Sequence, residues 1–77
     1  MPRVTVHLYA SLRSYAGGAP SVEVEIRPGQ TVEETLHALG IPSDQTRILF
    51  VNNRAAATNQ PLQDGDRIGA FPAIGGG

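Results

Sequence analysis

The sequence predicts one small α+β domain, in which a mixed sheet of about four to five strands packs on one main helix. Two segments near the N-terminus alternate apolar and polar residues, the pattern of half-buried strands. A later segment that begins at Thr31 has the residue spacing and the capping residues of an amphipathic helix. Apolar runs separated by turn residues then indicate further short strands. A length of 77 residues with 40% hydrophobic content suits a single globular unit.

The first two strands are predicted from strict alternation. Residues 4–8 and 22–26 each place three aliphatic side chains on one face, and Pro28-Gly29 closes the second strand. Between the two strands, the spacing permits a short helix that starts at about Ser11 and ends at Gly17-Gly18. The N-terminal third is therefore expected to be a strand pair joined by a short helical connection.

The main helix has clear start and stop signals. Thr31 and Glu34 have the spacing of a capping box, in which each side chain binds a backbone N–H of the other residue. Gly40 and Pro42 predict the end of the helix. A helix of about nine residues is marginal alone in water, so its apolar stripe must be buried on the sheet. That stripe consists of Val32, Leu36 and Leu39.

The remaining elements follow from apolar runs and turns. Residues 48–51 form a continuous apolar run, and Asn52-Asn53 tolerate the positive φ angles of a tight hairpin. We expect a return strand at about residues 54–58, a turn at residues 64–66 and a last strand at residues 67–71. Two strands that clasp one helix, with the last strand returning to the sheet, form a β-grasp arrangement.

Side-chain parity predicts an apolar patch on the sheet face away from the helix. If the first and last strands are neighbours, Tyr9 and Phe71 lie on the same uncovered face. The run at residues 48–51 is apolar at both parities, so one helix cannot cover all of it. The alternative is that Tyr9 covers only the first loop and Phe71 caps only the edge of the core.

Composition excludes several kinds of function. The net charge is −1 without a run of Lys or Arg, so nucleic acid is not an expected partner. Without cysteine there is no disulfide, thiolate metal site or cysteine nucleophile. His7 and His37 lack metal-site spacing, and no set of residues forms a self-contained active site. No stretch is long enough to span a membrane and the start does not read as a signal peptide, so a cytoplasmic protein is expected.

The C-terminal residues Ile74-Gly75-Gly76-Gly77 suggest that the terminal carboxylate is the working group. Glycine packs nothing and is costly to order, but it fits an extended chain into a narrow slot. The carboxylate, with a pKa of about 3.3–3.7, is ionised and a poor electrophile, so it must first be activated, for example as an acyl-adenylate made from ATP. Residues 72–77 span on the order of 20 Å when extended, enough to reach a buried site on a partner. The alternative is a frayed end or an engineered scar.

The chain resembles the MoaD/ThiS family of ubiquitin-like sulfur-carrier proteins over nearly its full length. It looks more like MoaD, the small subunit of molybdopterin synthase, than like ThiS. Two departures stand out: Ala73 replaces a common proline, and Gly75 extends the usual diglycine to three. The stretches that carry the resemblance are Leu8-Tyr9-Ala10-Ser11-Leu12-Arg13, Gly29-Gln30-Thr31-Val32, Val51-Asn52-Asn53, Pro61-Leu62-Gln63-Asp64-Gly65-Asp66 and Phe71-Pro72-Ala73-Ile74-Gly75-Gly76-Gly77.

The resemblance implies a mechanism. A MoeB/ThiF-like adenylating enzyme would use ATP to activate Gly77, next to Gly76, and a sulfur donor would form a thiocarboxylate. A MoaE-like large subunit would then receive the carrier, which is a monomer when free and has no intrinsic cofactor. The resemblance also implies a domain at residues 1–72 with a flexible glycine tail at residues 73–77. The implied partner-binding residues are Tyr9, Phe71, Pro72, Ile74 and Gly75.

Three alternatives stay open at this point. The sulfur could serve another pathway, such as thiamine thiazole, tungsten cofactor, tRNA thiolation or cysteine synthesis. The chain could instead be a protein modifier that is conjugated through Gly77. It could also be an interaction module with an inert tail.

Overall fold

The computed structural model describes residues 2–42 and 46–72. Within them, five strands and two helices follow one another along the chain. The strands are β1 (Arg3–Leu8), β2 (Ser21–Glu25), β3 (Thr46–Val51), β4 (Arg54–Ala55) and β5 (Arg67–Pro72), with a 3₁₀ helix (Ala10–Ala16) after β1 and the helix α1 (Val32–Ala38) after β2.

The five strands form one mixed sheet in the order β2-β1-β5-β3-β4. β1 and β5 are parallel neighbours at its centre, and the other pairs are antiparallel. The expected β-grasp arrangement is therefore confirmed, including the pairing of the first and last strands. Parallel pairing requires a crossover between the two strands, and α1 lies in that crossover.

One buried cluster joins α1 to the sheet. Val4, Val6 and Leu8 on β1 and Ile68 and Ala70 on β5 are at most 1% exposed, as parity predicts. These central strands have two neighbours each, whereas Val22 and Val24 on the edge strand β2 are only partly buried. The rest of the cluster is Leu12, Ile26, Val32, Leu36, Ile41, Leu49, Val51 and Leu62.

The predicted caps of α1 are both present. Thr31 Oγ1 accepts a hydrogen bond from the Glu34 backbone N–H (3.2 Å), and Glu34 Oε1 accepts one from the Thr31 backbone N–H (3.0 Å). At the other end, Gly40 has φ of +83°, and the Ile41 N–H donates to the Leu36 carbonyl at 3.0 Å. This bond is the outer one of a Schellman motif, so the helix ends where the glycine was expected to end it.

The short connection after β1 is a 3₁₀ helix. It begins at Ala10, one residue before the predicted start, and Leu12 is buried beneath it. Gly17 ends it in the left-handed conformation, with φ of +65°. The predicted stop at the glycines is confirmed.

The return strand is shorter than expected, since β4 ends at Ala55 rather than near residue 58. The hairpin itself is as predicted, with φ of +53° at Asn52 and +68° at Asn53. Past the hairpin, the Thr58 carbonyl accepts from the Glu33 N–H and the Gln60 carbonyl accepts from the Val32 N–H, at 2.9 and 3.0 Å. The chain thus satisfies the free N–H groups at the start of α1 instead of continuing beside β3.

Candidate functional site

Phe71 contacts two other aromatic side chains on the open face, which is the side of the sheet that α1 does not cover. The rings of Tyr9 and Phe71 are stacked with centroids 4.3 Å apart and an interplanar angle of 4°. Phe50 meets Phe71 edge-on, with centroids 5.8 Å apart and an angle of 79°. We call Tyr9, Phe50 and Phe71 the aromatic cluster. Each such ring pair is worth about 0.5–1.5 kcal/mol beyond its buried area.

Strand register brings these rings together. On β5, Gly69 pairs with His7 of β1 on one side and with Phe50 of β3 on the other. Phe71 lies two residues further along β5, on the same face as Gly69. A Cβ atom added to Gly69 would lie 3.7 Å from Tyr9 Cε2 and 3.8 Å from Phe50 Cβ. Gly69 therefore lies between the Tyr9 ring and the Phe50 side chain, at van der Waals distance from both.

The backbone around Tyr9 keeps this ring in line with β1. Tyr9 is extended (φ −117°, ψ 146°), and its N–H donates to the Ala70 carbonyl at 3.3 Å. The next residue, Ala10, has φ of +53°, so the chain leaves the sheet immediately after Tyr9. Left-handed backbone is unfavourable for a residue with a Cβ, and the hydrogen bonds on either side hold it there.

Ile48 extends the apolar part of the open face toward the end of β5. Ile48 is 49% exposed and pairs with Phe71, while Thr46 pairs with Pro72 across a bulge in β3. Exposure of a large aliphatic side chain beside stacked rings is typical of a docking surface. This apolar area lies directly before residue 73.

A depression of about 420 Å³ opens beside the aromatic cluster. The aromatic cluster, His7, Asn52 and Arg67 contribute to its lining. In the strand register Phe71 lies toward one end, His7 and Phe50 flank Gly69 in the middle, and Arg67 lies toward the other end. Asn52 is held in place, because its Oδ1 accepts from the Arg67 backbone N–H and its Nδ2 donates to Asp66, both at 3.0 Å. The depression thus has an apolar end and a polar end that carries positive charge.

Tyr9 and Phe71 share one face, as parity predicts. Pro72 ends β5 next to them. The other predicted site residues, Ile74, Gly75, Gly76 and Gly77, lie outside the described residues, as does the predicted tail at 73–77. The partner-binding role of all these residues stays a prediction.

Sequence reasoning did not single out Phe50, Gly69 or Arg67 as site residues. Phe50 was part of a run that is apolar at both parities, so its face could be assigned only once β3 was known to pair with β5. His7, which the sequence analysis considered only as a possible metal ligand, also lines the depression. Each of these positions depends on pairing between distant segments.

Other chemistry is sparse in the part of the chain that the structure describes. Hydrogen bonds from the Thr31 backbone and side chain lower the pKa of Glu34, which caps α1 rather than serving a site. Among the described residues, no three or more His, Cys, Asp or Glu side chains group as metal ligands would. No helix in the described ranges is long and apolar enough to cross a membrane.

The comparisons with known proteins agree with the β-grasp fold and also give a family match. Residues 6–77 match the model of the ThiS family. The search of curated proteins finds no match. Among solved structures, the chain is similar to SAMP1, a small archaeal modifier protein from Haloferax volcanii, with 27% identity, a TM-score of 0.76 and coverage of 97% of this chain and 99% of that one.

Two further structures share the ubiquitin-like fold. One is the putative molybdopterin converting factor subunit 1 from Pyrococcus furiosus, with 23% identity, a TM-score of 0.77 and coverage of 96% and 100%. The other is a chain in the BexX/CysO complex from Amycolatopsis orientalis, with 24% identity, a TM-score of 0.67 and coverage of 96% and 99%.

Proposed function

This chain belongs to the ThiS family of ubiquitin-like sulfur-carrier proteins, and from that premise we propose that it carries sulfur as a thiocarboxylate on Gly77. The destination that we propose is molybdopterin synthesis, with the chain as the small subunit of molybdopterin synthase. The main support is the family match, which runs through residue 77 and so includes the glycines. The name of the Pyrococcus furiosus neighbour supports the choice of pathway.

The proposed chemistry takes place on the terminal carboxylate. A carboxylate oxygen of Gly77 attacks the α-phosphorus of ATP, pyrophosphate leaves, and an acyl-adenylate forms. A sulfide-equivalent nucleophile then attacks the acyl carbon and displaces AMP, which leaves a thiocarboxylate. Adenylation is needed because an ionised carboxylate repels nucleophiles and lacks a good leaving group.

The partners supply the catalytic groups in this proposal. A MoeB/ThiF-like adenylating enzyme provides the ATP site, and a MoaE-like large subunit receives the thiocarboxylate. Because these steps depend on ATP, we propose that they occur in the cytoplasm. Pro72, Ile74 and Gly75 contact the partner beside Tyr9 and Phe71, and Gly76 and Gly77 enter the partner's active site. Docking through a remote surface places the reacting group without requiring side chains in the slot.

The direct test is adenylation by a cognate activating enzyme. Incubation of the full chain with this enzyme and ATP should release pyrophosphate and add AMP to Gly77, as detected by intact and fragment mass spectrometry. A chain with one alanine added after Gly77 should not react, whereas a chain with the same residue added before Met1 should. Absence of an adenylate on the unmodified chain would refute the proposal.

Sulfur loading is measured separately from adenylation, by the mass of the purified protein. Protein purified from its own host should contain a fraction in which one oxygen of Gly77 is replaced by sulfur, about 16 mass units heavier. The same mass increase by oxidation would lie on Met1 or another side chain, so the position is assigned by fragmentation.

Protein modification is the second candidate, because SAMP1 has 27% identity to this chain. In that case the adenylated Gly77 is attacked by the ε-amine of a lysine, and an isopeptide bond forms as AMP leaves. Higher-mass adducts in lysates of the host, which disappear when Gly77 is deleted, would favour this function.

A further inference from the structure

The polar end of the depression contains an arginine that has no carboxylate partner among the described residues. Arg67 is exposed at the start of β5 and lines the depression together with His7. Among the side chains that the structure describes, which do not include that of Arg47, the ion pair recorded is between Arg27 and Glu34 at 3.7 Å. The guanidinium of Arg67 therefore has donors available for a ligand.

The nearest acidic residues do not neutralise this arginine. Asp66 precedes Arg67 in the chain, but its Oδ1 accepts from Asn52 Nδ2 at 3.0 Å and its Oδ2 accepts from the Gln63 backbone N–H at 2.8 Å. Glu23 shares the open face, but Thr5 separates it from Arg67 in the register. Two strand spacings amount to about 10 Å, a distance at which exposed charges are strongly screened.

The two ends of the depression are separated by a distance that suits an extended peptide. Arg67 and Phe71 are four residues apart on β5, or about 13 Å, and Gly69 lies between them. The Arg67 side chain can reach part of this distance. If an extended peptide places an apolar side chain on the aromatic cluster, the side chain two to four residues away in that peptide therefore lies beside Arg67.

We propose that the depression binds an extended segment of the partner protein that carries one aliphatic or aromatic side chain and, two to four residues away, a carboxylate. The apolar side chain lies against the aromatic cluster, and the carboxylate accepts hydrogen bonds from Arg67. This inference rests on the sulfur-carrier function proposed above, and it names the chemistry of the segment on which the carrier docks.

The two parts of the ligand have different effects. Contact with the aromatic cluster removes apolar surface from water and supplies most of the affinity. The exposed charge pair contributes mainly to selectivity and to the rate of association. A segment with the apolar side chain alone is therefore expected to bind more weakly and less selectively than one with both groups.

Residues 73–77 of a second copy of this chain would also bring an apolar side chain and a terminal carboxylate. We favour the partner segment as the occupant, because ordering three successive glycines costs more conformational entropy than ordering other residues. The experiment below also distinguishes these occupants.

The test uses the full chain and two capped peptides, acetyl-Ser-Leu-Ser-Glu-Ser-amide and the same peptide with Gln in place of Glu. Each peptide is titrated into ¹⁵N-labelled protein, and the amide shifts of His7, Gly69 and Phe71 are followed by NMR. We expect the Glu peptide to bind at least threefold more tightly than the Gln peptide. Equal affinities, or no binding of either peptide at several millimolar, would overturn the proposal.

Arg67→Gln and Arg54→Gln form a matched pair of variants. Both remove one positive charge from an exposed strand residue, but Arg54 pairs with the buried Val51 and so faces away from the depression. Arg67→Gln retains the backbone N–H that donates a hydrogen bond to Asn52 Oδ1. We expect Arg67→Gln to abolish the preference for the Glu peptide and Arg54→Gln to retain it. Loss of the preference in both variants would show a general charge effect and would refute the binding of the carboxylate at Arg67.

Occupancy by another copy is tested without peptide. Shifts of the His7 and Gly69 amides that depend on protein concentration would identify the terminal carboxylate of a second molecule as the ligand, against the proposal. Adenylation of Gly77 is measured on the same variants. If no variant is adenylated, the sulfur-carrier function fails, while the peptide comparison still decides whether the depression recognises a carboxylate.

Discussion

Replacing Tyr9 by alanine tests the stacked pair, and Tyr15 provides a matched control. The two tyrosines are 39% and 37% exposed, so their truncation removes similar amounts of buried surface. Tyr9 stacks on Phe71 at 4.3 Å, whereas the ring pairs recorded among the described residues do not include Tyr15. The difference between the two variants therefore isolates the ring contact.

The structure sets the size of the expected effect. A stacked pair is worth about 0.5–1.5 kcal/mol beyond area, so Tyr9→Ala should lower the free energy of unfolding by about 1 kcal/mol more than Tyr15→Ala. For a domain of this size, 1 kcal/mol corresponds to about 4–8 °C in Tm. Urea denaturation at pH 7 followed by circular dichroism measures the free energy directly.

A double-mutant cycle gives the sharper result. The coupling between Tyr9→Ala and Phe71→Ala should be about 0.5–1.5 kcal/mol, and Tyr9→Phe should retain most of it. We also expect Tyr9→Ala, but not Tyr15→Ala, to raise the KM of the activating enzyme for the chain. A coupling below about 0.3 kcal/mol, which is within the error of additivity, would refute the stacked arrangement in solution.

Four further predictions concern stability. Thr31→Ala should cost about 1 kcal/mol of unfolding free energy by removing the cap of α1, as measured in urea, and an unchanged denaturation midpoint would contradict the cap. The folded pKa of Glu34 lies below its ordinary value, so its contribution to stability is present above the ordinary pKa and is lost as the pH falls through the folded pKa. Thr31→Ala should therefore flatten this part of a Tm–pH curve, and a curve parallel to that of the unmodified chain would refute the link. Ile68→Ala, at a fully buried site, should cost about 2–5 kcal/mol in urea denaturation, and Ile68→Val only about 0.5–1.5 kcal/mol; equal costs would indicate that the site is not packed as described. Gly40→Ala should lower Tm although its Cβ meets no atom within 4 Å, because φ is +83°; a Tm equal to that of the unmodified chain would argue against the left-handed cap.

Local features were predictable because neighbouring residues determine them. The capping box of α1, the glycine at its end and the asparagine hairpin each depend on residues within a few positions of one another. The return strand was predicted too long, since its carbonyls pair with the start of α1, which lies more than twenty residues earlier in the chain. Residues that are close together in the sequence do not show that these carbonyls pair with α1 rather than with β3.

Some features of the candidate site were also predictable from the sequence, whereas others required the structure. The glycines at residues 75–77 and the need to activate a carboxylate are properties of the sequence and of elementary chemistry. Parity also assigned Tyr9 and Phe71 to one face, provided that their strands were neighbours. The contribution of Phe50 and the position of Arg67 beside a depression required the register of β5 against β1 and β3.

The amino-acid sequence alone thus determined the two alternating strands, the capped helix, the asparagine hairpin and the glycines at residues 75–77. Only the tertiary structure decided that Tyr9 stacks on Phe71 and that Arg67 faces a depression without a carboxylate partner among the described residues. The physical reason is that alternation and capping act over a few residues, whereas strand register is selected by how side chains distant in the chain pack in one core.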